Sequence, residues 1–150
     1  MDGKKRMQRR GFLQTLLVTM ALLPLQALAA IWNKPAFNAI ALSTAEKALD
    51  MSAEIPNGDI SIIAPSFAEN GAVVQIEVTS HIKNTEAIAI LVEKNPTPLI
   101  ANMVFSKGVL PKVITRIKMA ETSQLVVVVK SGNQYFKASC QIEVNVGGCG

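Results

Sequence analysis

The stretch Ala72-Val73-Val74-Gln75-Ile76-Glu77-Val78-Thr79-Ser80-His81-Ile82 decides the fold class. From Val74 onward, Val74, Ile76, Val78, Ser80 and Ile82 share one side, and Gln75, Glu77, Thr79 and His81 share the other. Successive side chains of a strand point to opposite faces, so period-two alternation of this length is a half-buried antiparallel strand. Downstream, Val113, Thr115, Ile117 and Met119 repeat the pattern, with Arg116 and Lys118 facing out.

Other apolar, β-branched runs lie around these two: Asp59 to Ala64, Glu86 to Glu93, Leu99 to Phe105 and Gln124 to Lys130. Turn chemistry separates them at Asn70-Gly71, Asn95-Pro96-Thr97-Pro98, Lys107-Gly108 and Ser131-Gly132-Asn133. About seven short strands at regular spacing predict an all-β chain folded as an immunoglobulin-like antiparallel β-sandwich. One short N-terminal helix is expected ahead of them. Ser43-Thr44-Ala45-Glu46 matches a capping box, which opens a helix running to about Met51, before Pro56.

The last predicted strand runs from Tyr135 to Val146. Phe136, Ala138, Cys140, Ile142, Val144 and Val146 point to its apolar side, and Tyr135, Lys137, Ser139, Gln141, Glu143 and Asn145 to the other. Gly147-Gly148-Cys149-Gly150 then follows as a flexible arm, because glycine imposes neither bulk nor a preferred φ.

The N-terminal stretch has a different composition. Lys4, Lys5, Arg6, Arg9 and Arg10 precede an apolar run from Phe12 to Leu28, which closes on Ala27-Leu28-Ala29. A charged region, an apolar region and a small-x-small site describe a removable signal over residues 1–29. Gln14, Pro24 and Gln26 interrupt the run and argue against a lasting membrane anchor, which needs ~20 apolar residues. Gln8-Arg9-Arg10-Gly11-Phe12-Leu13-Gln14 is similar to the twin-arginine export consensus, so the periplasm is the expected location. The expected organisation is a signal over 1–29, a sandwich domain over 30–146 and a carrier arm over 147–150.

Removing the signal changes the charge. The whole chain is +4, but five of its fifteen basic residues and one of its eleven acids precede residue 30, so ten of each remain. A neutral domain without a basic, aromatic-lined patch excludes nucleic-acid binding.

Two cysteines in an exported chain raise the question of a disulfide. Cys140 and Cys149 are nine residues apart, mostly in extended chain at about 3.3 Å per residue, whereas a bridge needs Cα atoms within roughly 7 Å. Cys140 reads as a small core hydrophobe, which leaves Cys149 as an odd thiol on a glycine arm. Activated cysteines need a His, a Lys or a helix N-terminus nearby, but Glu143 and Asn145 are the neighbours here. His81, the one histidine, is expected on an outward face as an ordinary surface residue. No catalytic residue, metal site or bound cofactor is therefore expected. A reactive handle without machinery fits a carrier rather than an enzyme. The rival from the same residues is a structural or adhesive exported sandwich with an incidental thiol. A thiol oxidoreductase is disfavoured because no C-x-x-C is present.

At the arm the chain resembles the SoxY family, the sulfur-carrier subunits of the bacterial thiosulfate-oxidising system. Val146-Gly147-Gly148-Cys149-Gly150 is similar to the family's C-terminal G-G-C-G-G, with one glycine after Cys149 where the family has two. Ala68-Glu69-Asn70-Gly71, Glu93-Lys94-Asn95-Pro96, Thr115-Arg116-Ile117-Lys118 and Thr122-Ser123 match as well. The resemblance implies a periplasmic carrier that holds an intermediate such as an S-thiosulfonate on Cys149, with Gly147, Gly148 and Gly150 as the joints of the arm. It also implies a heterodimer with a SoxZ-like subunit. A c-type cytochrome, a hydrolase and a sulfane dehydrogenase would act in turn on the bound group.

Overall fold

The computed structural model describes residues 33–51 and 54–145. Among the described residues two helices come first, α1 Lys34–Phe37 and α2 Leu42–Ala48. Nine strands follow: β1 Glu54–Pro56, β2 Ile60–Ile63, β3 Phe67–Ala68, β4 Val74–Ser80, β5 Thr85–Val92, β6 Leu99–Val104, β7 Lys112–Ile117, β8 Ser123–Ser131 and β9 Gln134–Val144. The larger sheet has the order β1-β9-β8-β5-β6, with β3 also on β9; the smaller is β2-β4-β7.

The alternation in β4 survives in the structure. Val74, Ile76, Val78 and Ser80 are buried, and Gln75 is exposed. Their apolar face meets Ile88, Ile90, Leu125, Val127, Val129 and Ile142 of the larger sheet, and this is the sandwich core. Fully burying such a side chain stabilises the fold by ~1.5–3 kcal/mol each.

β5 and β8 do not alternate, and the layers explain why. Leu125 through Val129 are all buried. Their odd members face the smaller sheet, while Val126 and Val128, with Ala89, Leu91 and Leu99, pack under Ala36, Ala39 and Ala45 of the helical segment. A strand covered on both faces reads as a continuous apolar run.

The two shortest strands are absent from the sequence reading, which placed every strand after Gly58. β1 and β3 both pair with β9, and both are parallel to it, so the sandwich is not purely antiparallel. β1 covers Tyr135 to Lys137 and β3 covers Glu143 and Val144. An uncovered edge strand is a template for foreign pairing, and two short segments blunt this one at both ends.

The helix also differs from expectation. α2 begins after Ala41, which makes no side-chain cap bond, so Ser43 lies inside the helix. Leu42 and Ala45 face the sheet, and Glu46 turns to Lys137 instead of back to a cap. Tertiary packing sets the register here over local capping. Asp50, at φ 58°, ends the turn. α1 was not anticipated; the Asn33 side chain caps it by accepting the N–H of Ala36 at 3.1 Å.

β8 and β9 form a hairpin with Ser131 opposite Gln134. Its two-residue loop takes a left-handed φ of 57° at Gly132, which glycine supplies without strain. The hairpin carries β9 from one pole of the sandwich to the other.

Candidate functional site

Cys149, Gly147, Gly148 and Gly150 lie outside the described residues, as does the last predicted strand residue, Val146. The structure does describe the place from which they depart. On β9, Ile142 and Val144 are buried, and Phe136, Ala138 and Cys140 pack against the core, as the alternation predicts.

The end of β9 is held from both sides. On its outer edge, the N–H of Glu143 donates to the Ser66 carbonyl at 2.9 Å and that of Asn145 to the Ala68 carbonyl at 3.0 Å. On its inner edge, the Thr122 hydroxyl accepts the N–H of Val144 at 2.9 Å and lies 3.4 Å from its carbonyl. Below, Gly71 closes on the strand. A β-carbon there would meet Val144 Cγ1 at 2.7 Å and would clash with the Met119 carbonyl. The Met119 N–H also donates to the Gly71 carbonyl at 2.7 Å.

The neighbouring loops are tied into the same mount. The Asn95 side chain donates to the Lys118 carbonyl at 2.8 Å and accepts the Ala120 N–H at 2.9 Å, joining the β5–β6 and β7–β8 turns. Ser123 Oγ accepts the Lys94 N–H at 3.0 Å. Asn70 Oδ1 accepts the Ala72 N–H at 2.8 Å and shapes the turn that presents Gly71. All four segments singled out in the sequence thus meet at one pole, around the end of β9. The roles of Thr122 and Asn95 were missed, although a Thr-Ser pair and a turn asparagine are the signals that mark such bonds.

Beside β3 opens a cleft of about 680 Å³, bordered by Ile63, Pro65, Ala68 and Val73. Val73 and Ile63 on its border remain 57% and 62% exposed, and Phe67 of β3 is 52% exposed.

The far end of β9 is clasped differently. Lys137 Nζ lies 2.6 Å from Glu54 Oε2 of β1 and 3.3 Å from Glu46 Oε1 of α2. Partial burial pulls the ammonium down, but the hydrogen bond it donates to Glu54 and the charges of both carboxylates outweigh it, so its pKa lies above the ordinary lysine value. The other Glu54 oxygen is buried without a hydrogen-bond partner. Tyr135 donates its hydroxyl to the Leu49 carbonyl at 3.3 Å.

Cys140 is a free thiol and only half-buried, less enclosed than a core reading implies. It lies on the stretch of β9 between the partners of β1 and β3, where neither strand covers the edge. Burial pushes its pKa up, which keeps it protonated and slow. His81 is exposed, as expected. Among the described residues no three His, Cys, Asp or Glu side chains gather as a metal site.

Comparison with known proteins agrees with the resemblance seen at the arm. The family model described as sulfur oxidation protein SoxY matches residues 45–149. Among solved structures, the sulfur carrier protein SoxY from Chlorobium limicola f thiosulfatophilum superposes with a TM-score of 0.65 and 35% identity, over 75% of this chain and 99% of that one. None of the curated proteins matches.

Proposed function

The chain belongs to the SoxY family of sulfur oxidation proteins, and from that premise we propose that it carries sulfur covalently on Cys149. The observation that carries this reading is the mount. β9 is pinned through Asn145, and the thiol lies four residues further along a glycine-flanked segment. A fixed base followed by glycines lets a cysteine enter another protein's active site while the carrier stays folded.

The chemistry balances as follows. Loading joins the Cys149 thiolate to the outer sulfur of thiosulfate, forming one S–S bond and giving up two electrons to a c-type cytochrome partner. Hydrolysis then cleaves the distal S–S bond. Water supplies an oxygen, sulfate and two protons leave, and a persulfide anion remains on Cys149. A sulfane dehydrogenase, passing electrons to its own acceptor and drawing oxygen from water, takes that sulfur to the sulfonate. A second hydrolysis returns the thiolate. Every bond on the carrier is made or broken by a partner, so the chain has no turnover of its own and needs no bound cofactor.

A SoxZ-like subunit is the proposed permanent partner. The periplasm is the proposed location, supported by the signal-like sequence over residues 1–29. The test is thiosulfate-dependent cytochrome reduction by a system reconstituted with Cys149→Ser. Loss of reduction is expected; activity equal to wild type would sink the carrier reading.

A further inference from the structure

We infer that the surface around the end of β9 is the docking face for the enzymes that process the cargo, and that those enzymes present a basic entrance with an apolar rim. This rests on the carrier reading and concerns a different set of residues.

Reach comes first. Cys149 is four residues beyond Asn145, which gives it about 14 Å at full extension. An active site that takes its cargo must therefore open within that distance of Asn145. A disc of that radius covers roughly 600 Å², close to the area each partner buries in a weak, transient complex. The enzyme's rim must rest on whatever surrounds the mount.

The surroundings have a definite character. Phe67 pairs with Glu143 and is half exposed, and the neighbouring cleft, which Ala68 helps to line, has Val73 and Ile63 exposed on its border. Carboxylates flank the mount. Glu143 precedes Val144, Glu69 follows Ala68, and Glu121 precedes Thr122; all three residues are exposed. Lys94 faces Glu121 at 3.9 Å and Lys118 belongs to the same pole through its carbonyl bond to Asn95, while Arg116 pairs with Gln75 inside the smaller sheet. Among the described residues, Glu69 and Glu143 are thus the carboxylates beside the arm without an ion pair at salt-bridge distance. A thiosulfonate or sulfonate is an anion, so a site that binds it is lined with cations. The acidic residues beside the arm suit that entrance and would steer the encounter.

The test is the dependence of thiosulfate-driven cytochrome reduction on carrier concentration, using the reconstituted system at low and high salt. Glu69→Lys with Glu143→Lys should raise the KM for the carrier about tenfold at low salt, with kcat retained and the salt dependence flattened. Phe67→Ser with Val73→Ser should raise KM severalfold at either salt, on the order of the loss from small apolar contacts. Glu69→Gln with Glu143→Gln repeats the first comparison with a smaller change, in case reversal disturbs folding. KM values within twofold of wild type for all of these, with Cys149→Ser inactive, would overturn the docking face and leave the carrier reading standing. Full activity of Cys149→Ser would overturn both.

Discussion

Gly71 and Val144 are so close that a single methyl group on the glycine would lie 2.7 Å from the valine Cγ1. Gly71 lies in the loop between β3 and β4 and Val144 ends β9, 73 residues further on, so their contact seats the end of β9 against that loop. The Met119 carbonyl, which the same methyl group would strike, is backbone and cannot swing away.

Gly71→Ala should therefore destabilise the sandwich by ~2–3 kcal/mol, the usual cost of overpacking against a backbone that cannot yield. Urea denaturation would read this as a lower midpoint at an unchanged slope. An unchanged midpoint would mean that the loop gives way without cost.

Thr122→Val keeps the shape of the side chain and removes the acceptor of the Val144 N–H. The expected loss is ~1–2 kcal/mol, since a half-buried donor is left unmatched. Hydrogen exchange at Val144 should accelerate, while exchange in the middle of β8 stays slow. Thr122→Ser, which keeps the hydroxyl, should restore protection.

Lys137 gives a pH dependence on the alkaline side. Its folded pKa is raised above the ordinary ~10.4, so its contribution is complete below that pH and is lost as pH rises through the folded value. Lys137→Met should remove that part of the alkaline fall in Tm. At neutral pH it should cost on the order of 1–2 kcal/mol, less than a fully buried pair, because the lysine is partly open to water and Glu54 loses its partner. Adding Glu54→Gln should recover part of the loss.

Cys140 should alkylate at least about tenfold more slowly than Cys149 in the native protein at pH 7.5, given a raised pKa and partial burial. Its rate should keep climbing with pH beyond the ordinary thiol range, and denaturant should equalise the two. Equal native rates would mean that β9 opens at the stretch left uncovered by β1 and β3.

What could be read from the sequence followed from local periodicity. β4, β7 and β9 alternate because each has one wet face, and the residues assigned inward on β9 from Phe136 to Val144 do face the core. β8 gives no alternation, because helices cover its second face. Nothing in Leu125 to Val129 tells that a helical layer lies above it. β1 and β3 were hidden for a related reason: two or three residues carry no period, and their pairing with β9 is a long-range event. The reading of Cys149 and its glycines as an arm rests on sequence chemistry, and those residues lie outside the described ones. The mount around Val144 was not legible, because Thr122, Asn95 and Gly71 act on groups remote in sequence.

That remoteness has a consequence in time. Thr122 reaches Val144 across 22 residues, and β3 lies beside β9 only after the intervening strands have crossed between two sheets. Contacts closed over such long loops form late in folding. A chain that has made its hairpins but not its long-range closures already has the thiol, yet no fixed pedestal beneath it. On the carrier role proposed above, hand-over would therefore also depend on completed folding, and immature copies would drop out of the cycle.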